Sequence, residues 1–218
     1  MVFSTTATDS TGNNKSGKTE SILVYHGGEL ELPLDRIEFA GRRKDYDFGD
    51  GFYVTESRQV AEEWSKDRST PVVNSYRFEM PSNEILHLKG QDWLRVIVGF
   101  RLQKYKVVFK SSYIRGAIAN DRMDISLSFF LGGEIGDLRL IKCLEYCKLG
   151  DQYLLKKLPD KAEHLETRRL HGLALQTAYN RNMARRDNMD NALLKIRRQS
   201  IEGELFIDDY LAKGDYIE

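Results

Sequence analysis

At 218 residues the chain is long enough to bury one substantial core with length to spare for an appendage. Its 41% hydrophobic and 30% charged residues exclude a disordered or fibrous class. Lys+Arg and Asp+Glu stand at 33 each, so no global field draws the protein to nucleic acid, and none is expected as a partner. No apolar stretch reaches membrane-spanning length, so no membrane is expected either. Two cysteines, Cys143 and Cys147, fit neither a disulfide framework nor, without further ligands, a zinc site, so no metal is expected.

In chain order, residues 1–20 hold eight Ser/Thr and too little apolar surface to order themselves, which predicts a disordered segment or a hydroxyl-rich export signal. Ile22 to Tyr25 reads as a buried strand closed by Gly27-Gly28, and residues 29–47 as a long polar loop. Phe52 to Thr55 is the next strand, and Ser57 caps a helix with apolar Val60, Ala61 and Trp64. Val72 to Phe78 alternates like a half-buried strand, and Ile85 to Leu88 reads as another. Trp93 to Arg101 is helical, with Leu94, Ile97 and Val98 on its apolar face. Extended chain is expected at 105–109 and 114–118, and helix at 126–131 and 138–147. Leu140, Cys143, Leu144 and Cys147 share one helical face. Gln152 to Leu155 is a short apolar strand ended by Pro159. From Glu163 to Arg198 the pattern is helical, striped by Leu170, Leu173, Ala174, Thr177 and Ala178. Residues 161–200 carry net charge +5 and residues 201–218 carry −5, two solvated faces that can attract one another. Mixed strands and helices followed by a helical end give an α+β fold, with a monomer as the default state.

The densest motif is Asp47-Phe48-Gly49-Asp50-Gly51-Phe52-Tyr53-Val54-Thr55, downstream of the strand ending Tyr25-His26-Gly27-Gly28. Gly49 and Gly51 let the backbone approach a ligand that a Cβ would obstruct. A histidine ending one strand and a tyrosine just after a glycine turn suit a flat, polar, aromatic group, and the group expected is nicotinamide.

These motifs, taken in order with Val73-Asn74-Ser75-Tyr76, Gly116-Ala117-Ile118-Ala119-Asn120-Asp121-Arg122 and Asp151-Gln152-Tyr153, resemble the DUF3990 family across roughly residues 22–160. That family is grouped with the ADP-ribosyltransferases of the histidine–tyrosine–glutamate type. The Gly-x-Gly-aromatic-Tyr string is also similar to the poly(ADP-ribose) polymerase signature, whose second stacking tyrosine lies eleven positions on, here Trp64. The resemblance implies an ADP-ribosyltransferase-like split β-sheet cleft with a helical C-terminal extension, and NAD+ as co-substrate. By this likeness His26 bonds the adenosine ribose, and the Gly27 backbone holds the nicotinamide carboxamide. Tyr53 stacks on the ring, with Trp64 either on its other side or anchoring its own helix. Gly49, Gly51, Phe52 and Thr55 complete that wall. Asn74 either faces the cleft or ties its strand to a neighbouring loop.

The chain departs from the family at one position. Where glutamate usually stands, Gln152 keeps a hydrogen bond and loses the charge, at about 3–4 kcal/mol if nothing compensates. Asp121 is the candidate carboxylate, orienting or deprotonating an acceptor hydroxyl, or else capping the next helix. The organisation expected is a segment 1–20, a catalytic domain 21–160 and a helical extension 161–218. The function expected is mono-ADP-ribosyl transfer to a protein, catalysed through Tyr53, Gln152 and Asp121. The hydroxyl-rich start and helical end resemble a family of bacterial injected effectors that modify a threonine of host ubiquitin, making the host cytosol the expected location and ubiquitin the first partner to test. The alternatives are a toxin of a toxin–antitoxin pair acting on nucleic acid or another target in the bacterial cytoplasm, and an inactive NAD-binding module.

Overall fold

A computed structural model describes residues 2–3, 19–40, 46–103, 105–119 and 123–214. In chain order its elements are β1 (Val2–Phe3), β2 (Thr19–Gly28), β3 (Phe52–Thr55), α1 (Arg58–Ser65), β4 (Val72–Pro81) and β5 (Ile85–His87). Then come α2 (Gly90–Leu102), β6 (Val108–Phe109), β7 (Tyr113–Ala117), α3 (Met123–Leu131) and α4 (Asp137–Leu144). The chain closes with β8 (Asp151–Leu155), β9 (Ala162–Arg169), α5 (Gly172–Arg197) and α6 (Ile207–Gly214). The fold is mixed α+β.

Seven strands form one sheet in the order β5-β7-β8-β3-β2-β4-β9, antiparallel except for β5 beside β7. Its middle is weakly joined. All of β2 pairs with β4, from Thr19–Pro81 to Gly28–Val72, whereas β2 meets β3 through the single pair Tyr25–Thr55. Beyond that pair the two halves of the sheet part. A seam therefore opens between His26-Gly27-Gly28 on one side and Phe52-Tyr53 on the other.

Both faces of the sheet are covered. On one, Ile114 and Leu154 meet Trp93, Leu94 and Ile97 of α2, Phe130 of α3, Leu140 of α4 and Tyr210 of α6. On the other, Ile22, Val24, Phe52, Tyr76, Phe78 and Tyr153 pack under Leu32 and Ile37 of the loop after β2. Strand alternation sorts the side chains. The pairs Thr55–Gln152 and Tyr53–Leu154 put Tyr53, Thr55 and Gln152 on the first face, and Phe52, Val54 and Tyr153 on the second.

Several sequence expectations are corrected. β4 is not half-buried: Asn74 and Ser75 are as enclosed as Val73 and Tyr76, because β2 and β9 flank the strand and both its faces are covered. Helix does not begin at Glu163. Residues 162–169 are strand β9, extending the sheet alongside β4, so the segment 161–218 is not wholly helical. Pairing with β4 overrides a locally helix-compatible sequence. On α5 the enclosed positions are Ala178, Asn182, Met189 and Leu193, while Leu173 is 83% exposed and Thr177 faces solvent. In the acidic end, Glu204 grips Arg139 of α4. Of residues 1–20, Val2–Phe3 pair with β6 and Thr19–Glu20 belong to β2; the rest lie outside the described residues. No helix among the described residues is long and apolar enough to cross a membrane.

Candidate functional site

A cleft of about 730 Å³ follows the seam where β2 and β3 part. His26, Gly27, Gly51, Phe52, Tyr53, Trp64 and Gln152 all line it, from three strands, the glycine turn and α1. The opening of the sheet accounts for the state of His26. With the β2–β3 ladder ended at Tyr25, its Nδ1 donates to the Tyr53 carbonyl at 2.8 Å across the seam. A carbonyl only accepts, so Nδ1 carries the proton. The imidazole also stacks on Phe52, with ring centroids 4.7 Å apart. The His26 side chain is thus tied to the Tyr53 backbone across the seam.

Tyr53 is held at both ends. Its hydroxyl donates to the Gly49 carbonyl at 2.7 Å and accepts the Phe48 amide at 3.0 Å, closing the turn that begins at Tyr46. Burial raises its pKa well above the usual phenol value, and the neighbouring Asp47 adds to the effect. The phenol is therefore neutral and structurally engaged, and the surface it offers the cleft is its ring.

Behind Tyr53 lies a polar chain of three residues. Gln152, 4% exposed at the start of β8, donates Nε2 to Asp47 Oδ2 at 2.7 Å. The other oxygen of Asp47 accepts Nε and Nη2 of Arg101 at 3.1 and 2.9 Å. Asp47 is 6% exposed, and it lines the cleft together with Arg101.

The glycines are needed for packing. A Cβ on Gly27 would overlap the Ala61 carbonyl oxygen of α1, and one on Gly51 would press on Leu154 and the Leu155 carbonyl. Gly49, at φ +80°, turns toward Phe100, does not line the cleft, and needs glycine for that left-handed turn. The expectation that both glycines of the turn admit a ligand is corrected: Gly51 borders the cleft and Gly49 shapes the turn.

Two more expected residues stand elsewhere. Thr55 donates to the Asp151 carbonyl at 3.0 Å and accepts the Ser57 amide, pinning β3 to β8 and starting α1. Asn74 is fully buried, with its Oδ1 accepting from the Leu32 amide and from Thr167, and its Nδ2 donating to the Leu30 carbonyl. It ties the loop after β2 to the sheet and does not line the cleft. Asp121 lies outside the described residues.

The sequence reading missed the far wall, which comes from α5. Asn182, Arg185 and Arg186 line the cleft beside α1, and Glu63 of α1 holds Asn182 and Arg185. Its carboxylate takes Arg185 bidentately at 2.5 and 2.8 Å and Arg181 at 2.9 Å. The signal was present in the spacing of Ala178, Asn182, Arg185 and Met189, which fall on one helical face. Among the described residues the lining counts six basic side chains, Lys66, Arg68 and Arg101 among them, against four acidic ones, a net positive set in a neutral protein. Among the described residues no group of three or more His, Cys, Asp or Glu could hold a metal ion.

No curated protein and no solved structure matches the chain. A family model described as "Protein of unknown function (DUF3990)" matches residues 22–164, which takes in β2, the glycine turn, β3 and β8. With that span covering well over half of its length, the chain belongs to the DUF3990 family.

Proposed function

We propose that the protein is a mono-ADP-ribosyltransferase that takes NAD+ into the seam cleft and passes ADP-ribose to a protein. One observation carries the reading: His26, Tyr53 and Gln152, from strands up to 126 residues apart in sequence, line a single cleft where the sheet opens. These are the three positions at which the chain resembles transferases of the histidine–tyrosine–glutamate type. The volume, about 730 Å³, is ample for a ligand of dinucleotide size. Its net positive lining suits a diphosphate, with Arg185 and Arg186 beside Lys66 and Arg68 at the α1–α5 end.

In this reading the ring of Tyr53 supports the nicotinamide, worth about 0.5–1.5 kcal/mol for an aromatic pair. The backbone of Gly27, at the unladdered edge of β2, meets the carboxamide, and His26 faces a ribose hydroxyl. The bond between the ribose C1 and the nicotinamide nitrogen breaks, its electron pair leaving with the neutral base. A hydroxyl of the acceptor protein forms the new C–O bond, and its proton passes to a base or to water. Gln152 accepts from the nicotinamide ribose hydroxyl and meets the positive charge growing at C1. Transfer of a single unit is the outcome proposed, to a host protein with a threonine of ubiquitin as first candidate.

Purified protein incubated with labelled NAD+ and ubiquitin, and separately with cell lysate, tests this. One ADP-ribose unit on an acceptor, located by mass spectrometry and lost in Tyr53→Ala, is the expected result. No labelled protein from either mixture overturns the transferase reading, and nucleotide binding by calorimetry without transfer would point to a binding module. The injected-effector reading is separable: removing residues 1–18, which leaves β2 whole, should abolish delivery into a host cell and spare transfer in the test tube.

A further inference from the structure

We propose that Asp47 is the positioning residue for Gln152, and that the two side chains together perform what one glutamate would do at this place; the inference rests on the transferase reading. A primary amide has two unlike ends, and only the carbonyl end can accept from a ribose hydroxyl or stabilise positive charge at C1. A glutamine turned the wrong way would aim its partly positive NH2 at the reacting carbon. The structure decides the orientation. Nε2 of Gln152 lies 2.7 Å from Asp47 Oδ2 and 3.5 Å from the Ala117 carbonyl, and both partners accept. The nitrogen therefore faces the protein, and Oε1 is the end presented to the cleft that Gln152 lines.

Asp47 is itself held in one orientation. Arg101 occupies Oδ1 with two donors, which leaves Oδ2 for Gln152, and the turn that follows Asp47 is closed by the Tyr53 hydroxyl. A buried carboxylate accepting from the amide nitrogen also draws electron density onto the amide oxygen, because hydrogen bonds in series polarise one another. The charge that the glutamine lacks thus stands one hydrogen bond behind it. This assigns a purpose to the acid that opens the glycine motif, and it supplies a carboxylate without calling on Asp121. Among the described residues, the charged and titratable groups facing the pair are Arg101 of α2 and the phenols of Tyr46 and Tyr53.

Three variants test the pairing. Asp47→Asn keeps the shape and removes the charge, so the glutamine can present either end; kcat for transfer should fall at least tenfold while KM for NAD+ moves less than threefold. Gln152→Glu places two carboxyls at hydrogen-bonding distance, where they must share a proton. Its activity should be confined to acidic pH and decline as pH rises through the raised pKa of the pair. The double variant Asp47→Asn with Gln152→Glu restores one amide and one carboxylate, and should recover wild-type activity at neutral pH to within about threefold. That double variant also decides the matter if Asp47→Asn alone proves unstable. Undiminished kcat in a folded Asp47→Asn, or a double variant no better than the singles, overturns the proposal.

The side-chain amide of Gln152, followed by nitrogen-15 NMR without nucleotide, separates this failure from that of the transferase reading. A wild-type amide protected from exchange and released in Asp47→Asn, in a protein that never modifies an acceptor, overturns the transferase reading and the inference with it. An active wild type whose Gln152 amide ignores Asp47→Asn overturns the inference alone.

Discussion

The hydroxyl of Tyr53 both donates and accepts within the turn before it, so its oxygen and its ring have separable duties. Tyr53→Phe removes two hydrogen bonds and leaves the Phe48 amide without its acceptor, a loss of about 1–3 kcal/mol. Urea unfolding should show that drop while nucleotide affinity changes little, since the stacking face survives; Tyr53→Ala should lose both. Equal loss of affinity in the two variants would mean that the ring is not the contact. How far such residues were legible differs from one to the next. His26 and Tyr53 could be picked out because each stands by a strand end and a glycine turn, and Gln152 only through the family resemblance. Asn74 could not be resolved, since whether an alternating polar residue faces a cleft or a loop depends on what covers that face of the sheet, and local pattern is silent on this. The role of Gly49 was misassigned for a related reason: its neighbour is Phe100, far away in sequence.

At the scale of elements, α1 and α5 are joined through a carboxylate that solvent barely reaches. Glu63, 5% exposed, holds Arg181 and Arg185, and Arg181 also reaches Glu62. Glu63→Gln removes the charge and leaves two guanidinium groups facing a neutral amide. Removing one partner of a fully buried pair costs about 3–5 kcal/mol, and because these arginines keep a fifth to a quarter of their exposure, about 2–3 kcal/mol is expected here. Hydrogen exchange should quicken along α5 around Asn182 before it does so in the β2–β4 ladder. Uniform quickening would show that α5 is not separately anchored. Strands β2, β3 and β8 and helices α1, α2 and α4 were legible because each shows its own period or cap; Ser57, for one, accepts the Val60 amide at 3.4 Å. Strand β9 was not, because Glu, His and Arg at most of its positions carry no strand signal, and pairing with β4 makes them extended.

The whole molecule carries a pH dependence in its buried phenols. Burial raises the pKa of Tyr53, Tyr76, Tyr105, Tyr153 and Tyr210 above the value of an exposed phenol, and these residues are spread over both faces of the sheet. The folded state then holds their protons more tightly than the unfolded chain does. The stability gained is fully present below the unfolded phenol pKa of about 10 and is lost as pH rises from there through the raised folded values. The urea midpoint should be insensitive to these groups at neutral pH and fall steeply above about pH 10, with the tyrosinate absorbance of these five appearing in step with unfolding. Tyrosinate formed well ahead of unfolding would show that the phenols are open to solvent.

The cleft has a consequence for biosynthesis. Its walls are drawn from residue 26 to residue 186, with the glycine turn and Gln152 between. A chain emerging from the ribosome already carries its histidine and tyrosine strands while the arginine-bearing helix is still inside the tunnel. A nascent product that stops short of residue 186 lacks one side of the cavity, so the cleft is complete only after that helix has left the tunnel.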